Sequence, residues 1–269
     1  MKVVPLESSP VSQYPYVSYI DGKRRLVELF RITPLPIFIC GFIPPLFAAL
    51  ISISVALLFH NDQISNYNWQ CGRARFPSLS RIINLPLERI IWQILIFAHI
   101  PIRILELITT FVRFERLFNA NGRRTLFKLM RYTYLFVGLG ELFFLGALSI
   151  IGERENTQIH VILFYIFGFC GIGFFISSTY CHSQSLYYTK PYGVLSYRLK
   201  IIFMICYLIC MPVLITSFLL YWRMCLTLAY DIFALCEYFG VLFNIGFHGS
   251  TFFDVQNRML VSIRLAEPL

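Results

Sequence analysis

Apolar residues in this chain are gathered into six runs, each long enough to cross a lipid bilayer as a helix. The runs cover about 35–59, 88–112, 128–151, 159–180, 199–221 and 230–253, with polar stretches between them. Roughly 20 apolar residues suffice for a transmembrane helix, and a bilayer admits only helices or closed barrels. The pattern predicts an all-α polytopic membrane protein built as a bundle of six transmembrane helices.

The runs divide the chain into three predicted segments. Residues 1–34 form a polar N-terminal segment, 35–254 the six-span transmembrane domain with a lumenal loop over 60–87, and 255–269 a C-terminal tail. Because the first thirty residues are polar, we expect no cleavable signal peptide. Pro44 and Pro45 lie near the middle of the first run, where we expect the helix to be bent or broken.

Basic residues in the short loops predict the orientation, since such loops stay in the cytosol. Fifteen Lys and Arg, Lys200 among them, fall on the side of both termini, and five fall on the other side. Both termini are therefore predicted to be cytosolic. Of eight cysteines, only Cys71 and Cys225 fall on the lumenal side. An oxidising lumen favours a disulfide between them, with two free thiols as the alternative.

The composition excludes several classes of function. The chain is 57% hydrophobic and 14% charged, with a mean hydropathy of +0.67, which a soluble domain could not bury. Its net charge of +9 comes mainly from the short loops, and no phosphate-binding loop or RNA-binding motif accompanies it. We therefore expect no nucleic-acid partner. No metal site and no cofactor are expected either.

Polar residues interrupt the last apolar run. Asn244 and His248 follow Glu237 by seven and eleven residues, which places all three within about 20° of one helical stripe. A carboxylate at bilayer depth costs roughly 2.5–3.5 kcal/mol, so such residues face a bundle interior or a wet cavity. The stripe predicts either a contact between helices or a binding site.

Further ionisable residues occur in the second, third and fourth runs. His99, Arg103 and Glu106 lie on one face of the second run, where Arg103 and Glu106 can pair. Glu141 lies near the centre of the third run, and His160 lies at the lumenal end of the fourth. If the second, third and sixth spans pack together, the interior collects His99, Arg103, Glu141, Glu237, Asn244 and His248.

These residue types can support acid–base chemistry. A histidine oriented by a carboxylate can take the proton of a hydroxyl that attacks an ester. We assign the candidate catalytic residues as His248, His99, Glu237 and Glu141, and the candidate substrate-binding residues as Asn244, Arg103 and His160. No G-x-S-x-G or H-E-x-x-H sequence is present, so binding of a polar lipid headgroup without catalysis is the alternative.

A set of short motifs extends from the end of the first run to the end of the last. They are Leu58–Phe59–His60, Cys71–Gly72, Pro77–Ser78–Leu79–Ser80, Ala98–His99 with Arg103, Glu141, Ile159–His160, Cys225, Glu237–Tyr238, and Asn244 with Phe247–His248 and Phe253–Asp254. The last group is the most specific, because its Asn, His and Asp lie at fixed offsets in one span. Through these motifs the chain resembles the family of post-GPI-attachment-to-proteins factor 2.

The resemblance implies a six-span membrane protein of the Golgi, with the endoplasmic reticulum as a second location. It implies a role in remodelling glycosylphosphatidylinositol (GPI) anchors, in which a saturated fatty acid is added to lyso-GPI-anchored proteins. The implied partners are membrane lipids and GPI-anchored proteins. The alternative is a non-catalytic subunit that presents or transports lipid for a separate acyltransferase. A third interpretation, a proton-coupled transporter, would call for an inverted repeat, and none is visible.

Overall fold

The computed structural model of the protein describes residues 17–20, 24–65, 71, 75–119, 123–255 and 261–268. Parts of the predicted N-terminal segment, lumenal loop and C-terminal tail lie outside these residues. The chain divides into two units, one formed by Leu35–Asn257 and the other by the two terminal segments, Met1–Pro34 and Arg258–Leu269.

The described elements of the larger unit are helices, and six of them are long and apolar enough to cross a membrane. They are α1 (Pro34–Phe59), α4 (Pro86–Arg116), α5 (Arg124–Ile150), α6 (Thr157–Ser183), α7 (Pro191–Met224) and α8 (Thr227–Gly249). Short helices are α2 (Asn61–Ser65), α3 (Leu79–Ile82) and α9 (Phe252–Val255), and a 3-10 turn covers Leu186–Thr189. The six predicted spans are confirmed, and the chain is a multi-pass membrane protein.

The first long helix differs from its prediction. Helix α1 is continuous through Pro44 and Pro45, so of the expected bend or break the break is wrong. Each proline removes one backbone hydrogen bond, but membrane helices tolerate this because neighbouring groups satisfy the freed carbonyls. Pro101 and Pro212 likewise lie inside α4 and α7.

From α4 to α8, each long helix packs against the next long helix in the chain. Helix α5 packs along α4 and α6, and α7 packs along α6 and α8. Aromatic rings fill the centre, where Phe175 of α6 stacks on Phe247 of α8 with ring centroids 4.0 Å apart. Glycines permit close approach, since a Cβ at Gly168 would lie 2.8 Å from the Met211 side chain. On the outside, Phe143 and Phe169 are at least 70% exposed, as expected of a surface that faces lipid.

Helix α7 begins well before the predicted start at residue 199. It starts at Pro191, so Lys200, which the sequence placed among the loop cations, lies inside the helix and is only 2% exposed. Hydropathy misses this extension because the first turns of α7 carry polar residues. Proline at the first helical position suits the start of a helix, since it lacks only an N–H that would have no partner there.

A three-stranded antiparallel sheet is an element that the all-α prediction did not include. Strands β1 (Val17–Ile20), β2 (Arg24–Ile32) and β3 (Val261–Pro268) pair in the order β1-β2-β3. The register pairs Arg24 with Pro268 and Ile32 with Val261, with an irregularity between Glu28 and Phe30. Both terminal segments thus share one sheet, which is consistent with an even number of spans.

The predicted disulfide is confirmed. Cys71 and Cys225 are bonded, with their Cα atoms 4.9 Å apart and a sequence separation of 154. Cys225 ends α7 in a left-handed conformation, at a φ of 52°. The bond fastens the loop after α1 to the start of α8.

Candidate functional site

Five side chains from three helices, three of them buried and two half-buried, meet in the middle of the bundle. Arg103 of α4 donates one hydrogen bond to Glu106 over 2.5 Å and a second to Nδ1 of His248 over 2.5 Å. Glu141 of α5 accepts from Nδ2 of Asn244 over 2.7 Å and lies 3.3 Å from Nε2 of His248. We call Arg103, Glu106, Glu141, Asn244 and His248 the midspan cluster. The expected pairing of Arg103 with Glu106 is confirmed.

The contacts of His248 fix its tautomer. A guanidinium group has no acceptor atom, so Nδ1 of His248 must accept the hydrogen bond from Arg103. The ring hydrogen is therefore on Nε2, which donates it to Glu141. This is the arrangement of a histidine oriented by a carboxylate. Gly171 of α6 lies beside this pair, where an added Cβ would be in ordinary van der Waals contact with Oε1 of Glu141, 3.5 Å away.

His99 belongs to the same region. Its Nδ1 donates to the carbonyl of Ile96 over 2.7 Å, which leaves Nε2 as the acceptor of the neutral ring. His99 lines a small cavity of about 50 Å³ together with Arg103, Glu141, Asn244 and His248. We call it the midspan cavity. Five of the six residues expected to converge are therefore together.

Glu237 is the sixth, and the structure places it elsewhere. Its carboxylate accepts from the backbone N–H of Leu79 over 2.7 Å and from that of Ser80 over 3.3 Å. Glu237 and Asn244 share a face of α8, but seven residues separate them by about 10 Å along the axis. The expectation that Glu237 joins the other five is therefore wrong, since periodicity fixes the face of a residue and not its depth.

Glu237 is one of four side chains of α8 that hold the loop before α4. Asp231 accepts from the backbone N–H groups of Arg75 and Phe76 over 2.7 and 3.0 Å. Tyr230 donates to the hydroxyl of Ser78, and Tyr238 to the carbonyl of Pro77. We call Tyr230, Asp231, Glu237 and Tyr238 the loop clamp. The clamp and the disulfide fasten the loop at the same end of the bundle.

Two larger cavities lie between the loop clamp and the midspan cluster. The outer cavity, about 190 Å³, has a mixed lining. Its polar and aromatic residues include Ser78, Ser80, Arg81, Glu153, Thr157, His160, Tyr165, Tyr221, Trp222 and Tyr230, and its aliphatic ones are Val161 and Leu214. The inner cavity, about 100 Å³, is lined mostly by apolar side chains. The outer and inner cavities share Ser80, His160 and Glu237, and the inner and midspan cavities share Asn244 and Ile245. The three cavities therefore adjoin in sequence.

His160 lies where the outer and inner cavities meet. It occupies the first turn of α6, is 5% exposed, and donates from Nδ1 to the carbonyl of Ile151 over 2.7 Å. The sequence assigned it to substrate binding, and its position on the wall of both cavities is compatible with that role.

A second polar cluster was not foreseen. Nζ of Lys200 donates to Asp254 over 2.8 Å and to the hydroxyl of Ser196 over 2.6 Å, while Nδ1 of His182 lies 3.5 Å from the other oxygen of Asp254. We call His182, Ser196, Lys200 and Asp254 the lysine cluster. An earlier predicted start of α7 would have shown Ser196 and Lys200 one helical turn apart, but not their approach to Asp254. Burial and the Asp254 charge raise the pKa of the Tyr187 hydroxyl, which lies beside the cluster and outside the spans.

Two further facts bear on the chemistry. Among the described residues, no group of three or more His, Cys, Asp or Glu side chains could hold a metal ion. Outside the spans, Glu155 pairs with Arg89 over 2.7 Å, and this hydrogen bond lowers the pKa of Glu155.

Comparison with known proteins finds a matching family model and relatives that share one name. Residues 34–258 match the family model described as the Frag1/DRAM/Sfk1/Cwh43P N-terminal domain. Post-GPI attachment to proteins factor 2 of Caenorhabditis elegans is 32% identical over 232 residues, covering 81% of this chain and 83% of that protein. The protein of the same name from Caenorhabditis briggsae is 31% identical over 234 residues, covering 82% and 85%. No solved structure matches the chain.

The family match covers the whole six-span unit, and both relatives share most of their length with this chain. The chain therefore belongs to the Frag1/DRAM/Sfk1/Cwh43P family and, within it, to the family of post-GPI attachment to proteins factor 2.

Proposed function

We propose that this protein acts in the remodelling of GPI anchors in the Golgi, where it adds a saturated fatty acid to lyso-GPI-anchored proteins. The name shared by both relatives supports the GPI pathway. The reaction itself is acyl transfer to a free hydroxyl of the anchor lipid, and its acyl donor is a fatty-acyl ester or thioester.

The observation that carries this proposal is the order of the three cavities. A cavity at the end of the bundle that is more polar than its neighbour adjoins an apolar cavity, which in turn adjoins the midspan cluster. A lipid has the same order of chemistry, with a polar headgroup followed by an apolar chain. Ligand pockets are mostly apolar with a few placed polar groups, and these cavities match that description.

The disulfide supports a lumenal position for the outer cavity. Disulfides persist in oxidising compartments, and Tyr221 and Trp222, which line this cavity, lie just before Cys225. The cavity would then open towards the lumenal leaflet, where GPI anchors lie. Membrane lipids and GPI-anchored proteins are the partners that this position implies.

The candidates for proton transfer are His248 with Glu141, and His99 on the wall of the same cavity. Asn244 and Arg103 would engage oxygen atoms of a bound lipid. Glu237 is proposed to act differently, by holding in place the loop before α4, whose residues Ser78 and Ser80 line the outer cavity.

A cellular experiment tests the function. Cells that lack the protein are given the parent chain, and the fatty acids of their GPI anchors are measured by lipid mass spectrometry. We expect saturated anchors to be restored. No change in anchor composition with a normally abundant, correctly localised chain would refute the proposal.

One observation favours the non-catalytic alternative. Every ionisable side chain of the midspan cluster already contacts another member of it, an arrangement that would also stabilise a purely structural core. Under this alternative the protein presents the lipid to a separate acyltransferase. Purified protein supplied with lyso-GPI and an acyl donor separates the two, because turnover without any partner requires an enzyme.

A further inference from the structure

The proposed function requires a place where the free hydroxyl of the acceptor lipid meets a base. In a lyso-glycerophospholipid, the carbon that bears this hydroxyl is bonded to the carbon that carries the phosphate ester. The hydroxyl therefore lies close to the boundary between headgroup and chain. In this protein the matching boundary is the junction of the more polar outer cavity and the apolar inner cavity, where His160 and Glu237 line both.

The outer cavity has the chemistry of a headgroup site. Ser80, Thr157 and Glu153 offer oxygen atoms to the hydroxyls of an inositol ring, and Arg81 lies in the same wall. The guanidinium of Arg81 is positioned over the ring of Tyr230, 4.8 Å from its centroid. Such a mixture of hydroxyl, charged and aromatic groups suits a phosphorylated polyol better than a fatty-acyl chain.

The ring of His160 is oriented as a base requires. The carbonyl of Ile151 can only accept, so the hydrogen bond of 2.7 Å places the ring hydrogen on Nδ1. In the neutral ring the lone pair is then on Nε2, the other nitrogen. A general base needs a lone pair within hydrogen-bond reach of the hydroxyl, in a ring that is held in place.

Distance argues against His248 and His99, the two candidates for proton transfer named above, for this step, since both line the midspan cavity and neither lines the outer or the inner cavity. Helix α8 carries both Glu237, on the junction wall, and His248, in the midspan cluster. Eleven residues separate them, which is about 16 Å along a helix axis. A hydroxyl adjacent to the phosphate-bearing carbon cannot span that length while the headgroup occupies the outer cavity.

We infer that the acceptor lipid binds with its phosphoinositol headgroup in the outer cavity and that His160 is the base for its free hydroxyl. This inference rests on the proposed function. Nε2 of His160 takes the hydroxyl proton while the lipid oxygen forms a bond to the acyl carbonyl carbon. The donor's carbonyl carbon–sulfur or carbon–oxygen bond then breaks, and the proton passes from His160 to the leaving thiolate or alkoxide.

The test uses two matched variants, His160→Asn and His99→Asn. In each, the parent histidine donates from Nδ1 to a backbone carbonyl over 2.7 Å, a bond that the asparagine amide can replace while the Nε2 lone pair is lost. The full chain is purified into lipid nanodiscs and supplied with lyso-phosphatidylinositol as acceptor probe. Stearoyl-coenzyme A is the thioester donor, and diacyl phosphatidylcholine is the ester donor in a parallel arm. Each variant is also expressed in the cells that lack the protein.

We expect His160→Asn to fold and bind lyso-phosphatidylinositol as the parent does while its turnover falls by about 100-fold or more, the usual contribution of a general base. Turnover by the parent should fall towards acidic pH, because protonation of the base removes its lone pair. The residual turnover of His160→Asn should not show this fall. His99→Asn should lose less activity and keep that pH dependence.

The inference is overturned if turnover of His160→Asn stays within about 3-fold of the parent, far below a general base's contribution. Loss of lipid binding together with turnover overturns it as well, since His160 would then be a binding residue. A parent that restores saturated anchors in cells but turns over neither donor when purified also overturns it, in favour of the non-catalytic alternative. A parent that restores nothing in cells refutes the proposed function itself.

Discussion

The buried ion pair of the lysine cluster gives the most direct physical prediction. Lys200 is 2% exposed and Asp254 is 5% exposed, and their charges are 2.8 Å apart. Removing one member of a buried pair leaves an uncompensated charge and typically costs about 3–5 kcal/mol. Total folding stabilities are about 5–15 kcal/mol, so Lys200→Met or Asp254→Leu alone should remove a large part of the free energy of unfolding.

Replacing both residues should behave differently from the sum of the two changes. An apolar pair of similar volume is often neutral or stabilising where a buried ion pair stood, because the cost of desolvating two charges disappears. The single substitutions would add to about 6–10 kcal/mol, whereas we expect the double variant to lose little. Ser196 keeps its hydrogen bond to the carbonyl of Ser250, and His182 keeps its bond to that of Gly193, so neither is left without a partner.

The assay is equilibrium unfolding of the purified chain in mixed micelles, followed by tryptophan fluorescence, with cellular abundance as a second readout. Lys128→Met is the matched control, because Lys128 is exposed on α5 and should change stability by no more than about 0.5 kcal/mol. Losses that simply add in the double variant would refute the reasoning, as would single variants as stable as the control.

Three further predictions concern the other end of the bundle. Serine at Cys71, at Cys225 or at both should destabilise equally, by up to about 5 kcal/mol for two cysteines 154 positions apart, measured as the thermal midpoint; alkylation of Cys71 or Cys225 in the native parent, mapped by peptide mass spectrometry, would contradict this. Glu237→Gln should weaken the hold on the loop by about 1.5–3 kcal/mol and speed its cleavage in limited proteolysis; an unchanged cleavage rate would count against the loop clamp. The Arg89 hydrogen bond lowers the pKa of Glu155, so its contribution is present above the ordinary value of 4.5 and lost below it. Lowering the pH through 4.5 should therefore decrease the thermal midpoint of the parent more than that of Glu155→Gln. Equal decreases in the two midpoints would contradict the pairing.

The sequence predicts the features that depend on local pattern. Six apolar runs predict six spans because length and composition alone decide whether a helix suits a bilayer. The pair Arg103–Glu106 follows from a spacing of three residues on one helix. The disulfide follows from the sorting of cysteines by compartment, which leaves only Cys71 and Cys225 to meet.

Features that depend on depth and on distant partners are not readable in the same way. Glu237 and His248 share a helical face, but their partners come from different elements at different depths. Lys200 looks like a loop cation until Asp254, in a separate helix, is placed beside it. The sheet is hidden for a similar reason, because β2 and β3 pair although more than two hundred residues separate them in sequence.

The fastening of the loop to α8 has a consequence for how the protein is made. The Arg75–Ser80 segment emerges from the ribosome early, whereas the clamp residues and Cys225 are synthesised about 150 residues later. Until then, Cys71 is a reduced thiol on an undocked segment. Formation of this disulfide thus reports that α7, which ends at Cys225, has been inserted, and an oxidoreductase that surveys nascent chains can distinguish such molecules from chains truncated before Cys225 by the Cys71 thiol alone.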